Sequence, residues 1–297
     1  MKKIILLLAV CVYSVAHAQV LSDSSFFSQI ASDWHAGFTA DAGGTFAVPV
    51  DISDGADGTL GVYEGAATLK FQGFNEKRAL NADVNYGFAH YDFSGAESPV
   101  GDANKIGCNL FYSEKIAGGW SAWGMFTGSL NAETNASLSD GGSVLAGAGA
   151  GYRFSENLRV GLGVAAVSRM DRDWIPMPVA YVDWKITERL SLRTFTGAAL
   201  VYDAFGDGKL LLSISADYKS AYIRLSDGTA GERRSVKDSY FQCSANATYS
   251  LTKNFYVAAG VGGNFNREMT FRTDRIKSGE IDVDAAPVFF VHAGCKF

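Results

Sequence analysis

The end of the chain constrains the fold most, because it forms an alternating strand that stops on an aromatic residue. Counting back in twos from the terminus gives only apolar side chains, namely Phe297, Cys295, Ala293, Val291 and Phe289. Period-two alternation of this kind predicts a β-strand with one apolar face. A strand at the end of a chain leaves an unpaired sheet edge, and lipid tolerates no such edge. We therefore predict that the last strand closes against the first.

Composition favours an all-β chain. Of the 297 residues, 47% are hydrophobic and 19% are charged, and the chain holds 33 glycines and five prolines. Leucine-rich helical runs are missing, while the β-favouring and small residues are spread evenly. A chain of this length admits one large domain or two smaller ones, but no linker rich in proline, serine or charge divides it. We predict one domain.

Alternating segments follow one another along the chain, about fourteen in all within a range of twelve to sixteen. They are long enough to cross a bilayer, which takes about 9–11 tilted residues, whereas strands of soluble sheets commonly have about 5–6. Tight turns near residues 117, 156, 188, 220 and 253 alternate with longer polar loops. This pattern predicts a single up-and-down antiparallel transmembrane β-barrel over residues 34–297 rather than a soluble sandwich or propeller.

Several segments carry more detailed expectations. Strand nine is predicted over 190–202, and the turn near Ser220 separates two strands. Residues 169–177, 227–238 and 266–285 are predicted as loops, the last being the longest. The register of 120–130 stays unassigned, because large aromatic side chains occupy both of its faces.

The amino terminus predicts export. Lys2 and Lys3 precede an apolar run, and Ala16-His17-Ala18 has the small-x-small pattern of a cleavage site. We predict a secretory signal peptide over 1–18 and a short periplasmic lead-in over 19–33. Val10 stands before Cys11, where a lipid attachment site prefers a small residue, so a lipid anchor is disfavoured.

Charge and cysteine content exclude other classes. Without residues 1–18 the chain has 24 basic residues (26 minus two lysines) and 31 acidic ones, a net charge of −7, which disfavours nucleic-acid partners. Three cysteines then remain, and an odd number argues against a disulfide framework. Cys108, Cys243 and Cys295 fall on apolar faces, which predicts small lipid-facing side chains.

Three short turns with flanking aromatic residues resemble the periplasmic hairpins of Gram-negative outer-membrane β-barrel proteins: Tyr152 to Leu158, Trp184 to Leu190 and Tyr249 to Phe255. The terminal Phe297 resembles the C-terminal assembly signal of the same class. The likeness covers nearly the whole mature chain, and the strand number and length are similar to those of monomeric fourteen-stranded porins. It is weaker for fatty-acid channels, because the lead-in is too short for their N-terminal plug.

The resemblance implies a place in the bacterial outer membrane, contact with its lipid, and insertion by the barrel-assembly machinery. The segment from Trp174 to Pro178 is also similar to uncharacterised outer-membrane barrels. No functional residue can be carried over from proteins of that kind.

The alternation also predicts a polar lumen. Its inward candidates are Lys70, Asp83, Asn85, Arg153, Arg159, Asp183, Lys185, Arg193, Asp217, Lys219 and Gln242. These charges either line a wet pore or pair into a network that fills the barrel. We favour the pore, because glycines alternate along 147–163 and leave space on the inner face.

Two loops hold candidate ligand-binding residues. Asp51, Asp54 and Asp57 lie among glycines and could hold Ca²⁺, but the spacing and final glutamate of an EF-hand are missing. A solvated acidic loop is favoured, and no metal site is predicted. The charged loop over 171–174 is predicted to pack by its own salt bridges rather than to face a ligand.

Signals of catalysis are weak. His35, His90 and His292 lie in no nucleophile motif, and the chain shows neither metal-ligand spacing nor a phosphate-binding loop. We predict no enzymatic activity and no cofactor. The function predicted is a passive channel for small hydrophilic solutes. The alternative is a closed barrel that binds a partner or serves envelope structure, and a lipid-modifying enzyme dependent on His292 comes last.

Overall fold

The computed structural model describes residues 35–53, 58–95, 98–170, 172–194, 197–228 and 231–297. The predicted signal peptide and lead-in, and Asp54 and Asp57 of the acidic loop, lie outside these residues. Within them one short 3-10 helix spans Leu138–Gly141. The strands are β1 (His35–Asp51), β2 (Thr59–Phe74), β3 (Arg78–Ser94), β4 (Ala103–Lys115), β5 (Trp120–Glu133), β6 (Gly142–Ser155), β7 (Leu158–Arg169), β8 (Arg172–Lys185), β9 (Leu190–Thr194), β10 (Gly197–Asp203), β11 (Leu210–Arg224), β12 (Arg234–Ser250), β13 (Phe255–Thr273), β14 (Ile276–Val283) and β15 (Ala286–Lys296).

The strands form a closed antiparallel barrel of fourteen strands with β14 as one extra strand. Each strand from β1 to β13 pairs with the next along the chain, and β15 pairs with both β13 and β1. Phe289 lies opposite Phe46 in the closing ladder, and the backbone N–H of Phe297 donates to the carbonyl of Phe38 at 2.8 Å. The predicted closure of the last strand on the first is confirmed.

The apolar side chains face outward, as a membrane barrel requires. Leu162, Ile214 and Val291 are 65–67% exposed on the outer surface, while their neighbours along each strand are covered inside. Cys108 and Cys243 are exposed on the same surface and Cys295 is partly so, as expected for lipid-facing residues. No helix among the described residues is long and apolar enough to span a membrane.

The predicted strand nine and the predicted turn at Ser220 are both wrong, in a way that leaves the strand number unchanged. Two short antiparallel strands, β9 and β10, stand where one long strand is predicted over 190–202, and β11 runs without a break through Ser220. The hydroxyl of Thr194, the last described residue of β9, accepts a hydrogen bond from the backbone N–H of Val182 at 2.8 Å. Gly197 at the start of β10 makes room for the Asp217 side chain, since a Cβ there would lie 1.5 Å from its Oδ1.

Two predicted loops are largely strand. The segment over 169–177 joins β8 at Arg172, and most of 266–285 extends β13 and forms β14. A β-bulge at the start of this extension explains why its alternation was missed, because Asn266 adopts a positive φ of 51° and shifts the register. Beyond the bulge, the odd-numbered residues turn inward.

The inner faces of β6 and β7 are covered by aromatic rings. A Cβ on Gly149 or Gly163 would lie 2.4 Å from the ring of Trp123, and one on Gly161 would lie 2.0 Å from Tyr181. The odd-numbered residues of β5, including Trp123, face inward, which resolves the unassigned register. The space that the sequence predicts beside these glycines is therefore filled by the rings of Trp123 and Tyr181. A residue with a side chain would collide with these rings.

This packing predicts that Gly163→Ala destabilises the barrel. The new methyl group would meet both the Trp123 ring and the Ala148 carbonyl oxygen, each at 2.4 Å, and overpacking of this kind costs about 1–3 kcal/mol. Urea unfolding in detergent, followed by the mobility difference of unboiled protein on gels, measures the loss. Gly65→Ala is the control, because nothing lies within 4 Å of its Cβ position, and equal losses in both variants would contradict the packing.

Candidate functional site

The lumen holds ion pairs and hydrogen bonds, both between neighbouring strands and within one strand. Lys70 Nζ on β2 lies 2.7 Å from Asp41 Oδ2 on β1, and both side chains are largely covered. Lys219 Nζ lies 3.6 Å from Asp217 Oδ2 on β11. Opposite charges on adjacent inward positions therefore neutralise each other locally, which lowers the cost of holding them inside the barrel.

Amide and hydroxyl groups continue this pattern. Asn109 donates to Asp83 at 2.8 Å and accepts from Thr127 at 2.8 Å, so one chain of hydrogen bonds crosses β3, β4 and β5. Gln242 donates to Asn264 at 2.9 Å. Asn85 is buried against Gly107, where a Cβ would lie 2.7 Å from its Oδ1.

The remaining candidates lie toward the end of the barrel that the resemblance places in the periplasm. Arg153 and Arg159 lie opposite each other in the β6 and β7 ladder, and Arg193 Nε lies 3.8 Å from Asp183 Oδ1. Lys185 differs from the other candidates, because it is exposed where β8 ends. Whether this set lines a conducting pore stays a prediction.

One buried network was missed by the sequence analysis. Arg267 on β13 donates to both carboxylate oxygens of Asp238 on β12, at 3.0 and 2.6 Å, and each side chain is 4% exposed. Tyr91 donates to the same carboxylate at 3.3 Å, and the guanidinium lies 5.0 Å from the centre of the Tyr240 ring. Arg267 and Asp238 both fell in predicted loops, so no alternation assigned them to the lumen.

An apolar cluster closes the lumen above this network, at the end opposite the short turns. We call it the outer seal. It comprises Ala47, Ile52, Leu60, Val62, Ala89, Tyr91, Val100, Ala103, Ile223, Leu225, Val236, Met269, Val283, Ala286, Val288 and Phe290. Leu60, Ile223 and Met269 are at most 2% exposed although they come from different walls of the barrel. Among the residues that the structure describes, these side chains therefore pack against one another across this end of the lumen.

The upper end of β11 bends into the lumen and helps to form the seal. Arg224 pairs with Ala132 of β5 in a parallel bridge, although β11 and β5 are far apart around the barrel. The N–H and hydroxyl of Ser226 donate to the carboxylate of Glu133 at 2.7 and 3.0 Å. The strands β6 to β10 thus lie outside a smaller ring at this end of the barrel.

Below the seal lies a cavity with an empty volume of about 1160 Å³, open solvent included. Its lining residues come from walls on opposite sides of the barrel and are mostly polar or charged: Thr45, Glu64, Lys105, Ser129, Asn131, Ser143, Val167, Arg169, Ser215, Asp217, Lys219, Ser220, Ala221, Tyr222, Asp238, Tyr240, Gln242, Ser244, Asn246 and Phe290. Lys105 bonds Glu64 within it. Three of the sequence-predicted candidates, Asp217, Lys219 and Gln242, meet in this cavity.

The histidines considered for catalysis lie apart. His90 is exposed, and its Nδ1 lies 2.5 Å from Asp102 Oδ1. The His292 ring lies over Gly43, where a Cβ would come within 2.0 Å of its Nδ1. The absence of enzymatic activity stays a prediction.

Comparison with known proteins agrees with the barrel. A family model described as "Domain of unknown function (DUF6268)" matches residues 47–293. No curated protein matches the chain. The solved COG4313 outer membrane channel from Pseudomonas putida F1 is 11% identical with a TM-score of 0.51, over 96% of this chain and 100% of that one.

Two further solved structures are less similar. The KdgM porin in complex with disordered oligogalacturonate is 11% identical with a TM-score of 0.41, over 87% of this chain and 99% of that one. The P. putida toluene transporter TodX is 7% identical with a TM-score of 0.43, over 88% and 89%. At these identities the likeness concerns the fold alone.

The buried pair predicts an asymmetric response to mutation. Arg267→Leu leaves the Asp238 carboxylate buried without its cation, which costs about 3–5 kcal/mol. The double variant Arg267→Leu, Asp238→Leu is expected to lose much less, because no isolated charge remains. Unfolding in urea measures each loss, and Arg78→Leu is the control, because its pair with Glu114 is exposed and is worth about 0–1 kcal/mol. Additive losses in the double variant would contradict the coupling.

Proposed function

Because the chain belongs to the family described as domain of unknown function DUF6268 and folds as a porin-like outer-membrane β-barrel, we propose that it is a channel for small solutes that carry polar groups. The channel performs no covalent chemistry and needs no cofactor. Export and insertion into the outer membrane are part of the same proposal, and they rest on the signal-like amino terminus and the closed barrel with its outward apolar surface.

The cavity below the outer seal carries this proposal. It brings together carboxylates, ammonium groups, amides and hydroxyls from opposite walls, such as Glu64, Lys105, Asp217 and Gln242. A mixed lining of this kind offers hydrogen bonds to neutral polar solutes and does not favour one sign of ion strongly. Hydrophilic solutes fit the lining, as the sequence predicts.

The outer seal sets how such a channel would work. Its fully buried side chains must separate before a solute can pass from the outer face, so conduction is expected as brief openings rather than as a permanently open pore. The same seal favours the second candidate function, a closed barrel that binds a partner. Single-channel recording in planar bilayers separates the channel from the closed partner-binding barrel. If the protein inserts into the bilayer but shows no opening steps, the channel is excluded.

Weakening the seal is expected to increase conduction. Leu60→Ala removes a side chain that is 2% exposed, and the cavity left behind destabilises the closed form by about 2–5 kcal/mol. If none of this loss is shared by the open form, the ratio of open to closed form rises at least about thirtyfold. Single-channel open probability measures the change.

Val261→Ala is the matched control, because Val261 lies on the outer surface and is 55% exposed. Its open probability is expected to equal that of the unmodified protein. An unchanged open probability in Leu60→Ala, with the variant folded and inserted, would contradict gating by the seal.

A further inference from the structure

Four charged side chains form one row across β6 to β9, at the end of the barrel with the short turns. They are direct partners from strand to strand, in the order Arg153, Arg159, Asp183 and Arg193. Phe154, which follows the first of them, is 64% exposed on the outer surface, so the row lies on the inner face. We call these four residues the basic row.

The basic row carries more positive than negative charge. Its three guanidinium groups and one carboxylate give a net charge of +2 (three minus one). Arg193 Nε lies 3.8 Å from Asp183 Oδ1, and the same aspartate is the ladder partner of Arg159. Arg153 has an arginine opposite it on β7, and like charges directly across two strands are destabilising. We call Arg153 and Arg159 the opposed pair.

Other basic side chains of the lumen each have a carboxylate of their own. Four such pairs are Lys70 with Asp41, Lys105 with Glu64, Lys219 with Asp217, and Arg267 with Asp238. Each pair is neutral, so the carboxylate offsets the cost of holding the cation inside the barrel. The opposed pair departs from this arrangement, and its excess positive charge attracts anions from solution.

Further hydrogen-bond donors lie beside the opposed pair. Lys115 of β4 interacts electrostatically with both of its arginines and with Glu76, so these two residues leave the excess of positive charge unchanged. The hydroxyls of Ser121 and Tyr181 lie on the same inner face, where a Cβ on Gly151 would come within 3.0 and 2.3 Å of them. Guanidinium, ammonium and hydroxyl groups can all donate to one oxyanion.

The geometry of the opposed pair suits one oxyanion. Side chains directly opposite each other in an antiparallel ladder have Cβ atoms about 4.5–5.5 Å apart. A guanidinium group presents its N–H donors in a planar fork that matches a phosphate or a carboxylate. Arg153 and Arg159 are both half-buried, so their side chains are partly shielded from water and still reachable. The outer seal lies at the other end of the barrel, so a solute reaches the pair without crossing it.

We infer that the opposed pair binds the oxyanion group of a solute, with inorganic phosphate as the simplest example. This inference rests on the proposed channel and adds that its solutes include polar molecules with an anionic group. An anion between the two guanidinium groups replaces their repulsion by two attractive contacts. The polar cavity does not make this selection, because its lining holds three carboxylates and three cationic groups.

Phosphorus NMR tests binding independently of conduction. Inorganic phosphate is added to the protein in dodecyl maltoside at low ionic strength, and the broadening of its resonance measures the bound fraction. We expect saturable broadening. Arg153→Gln and Arg159→Gln are each expected to weaken binding at least about tenfold, because each removes a charged hydrogen-bond donor.

Arg78→Gln is the matched control. It removes the same charge at the same end of the barrel, but Arg78 is exposed on the outer surface and bonds Glu114. Its phosphate binding is expected to equal that of the unmodified protein, and Arg153→Lys is expected to bind more tightly than Arg153→Gln. Equal binding in Arg78→Gln and Arg153→Gln overturns the inference, as does the absence of saturable broadening in the unmodified protein.

Unfolding in urea gives a second measurement and shows that each variant folds. Without phosphate, Arg153→Gln is expected to be at least as stable as the unmodified protein, because a repulsion is removed. Phosphate is expected to raise the urea midpoint of the unmodified protein more than that of Arg153→Gln, since a ligand stabilises the form that binds it. Equal rises overturn the inference. If Arg153→Gln fails to fold, Arg159→Gln replaces it.

Reversal potentials in a KCl gradient connect the site with the proposed channel. We expect the unmodified protein to prefer chloride over potassium more strongly than the double variant Arg153→Gln, Arg159→Gln does. An unchanged reversal potential overturns the selection of anions. Phosphate binding without opening steps removes the channel and leaves the site, whereas opening steps without phosphate binding remove the site and leave the channel.

Discussion

Every backbone N–H and C=O group within hydrocarbon needs a partner inside the protein, and the rest of this structure depends on that requirement. It explains why the chain ends in a strand whose last residue bonds back to Phe38 and why the sheet closes. Pro176 and Pro178 of β8 carry no backbone N–H, so these two positions have no donor that would need a partner.

A closed barrel has an interior that is either packed with side chains or lined with polar groups. Both arrangements occur in this barrel. Trp123 and Tyr181 pack against the glycines of β6 and β7, and the outer seal packs the opposite end. Between these regions the side chains are polar and paired, as in the Arg267 and Asp238 network. The result is a cavity with a mostly polar lining that lies between two buried apolar clusters.

Alternation predicted the class of fold, the closure and the inward position of nearly all candidate residues, because each depends on a local period of two. It failed where the chain departs from that period. Because the bulge at Asn266 shifts the register, alternation did not predict the extension of β13, which contains Arg267. No periodic signal in the sequence separates β9 from β10. The expected turn at Ser220 and the expected long strand nine were wrong together, so the predicted strand number was still right.

The sequence by itself determined that this chain is a barrel with lipid outside, since alternate apolar residues and a terminal strand leave no other way to satisfy the backbone in a bilayer. Only the tertiary structure decided where the lumen is packed and where it holds a cavity. The bend of β11 toward β5, the convergence of sixteen seal residues and the fit of Trp123 over Gly149 and Gly163 join positions far apart in the chain. Contacts of that range depend on how the walls curve toward one another, and a local period carries no information about that curvature.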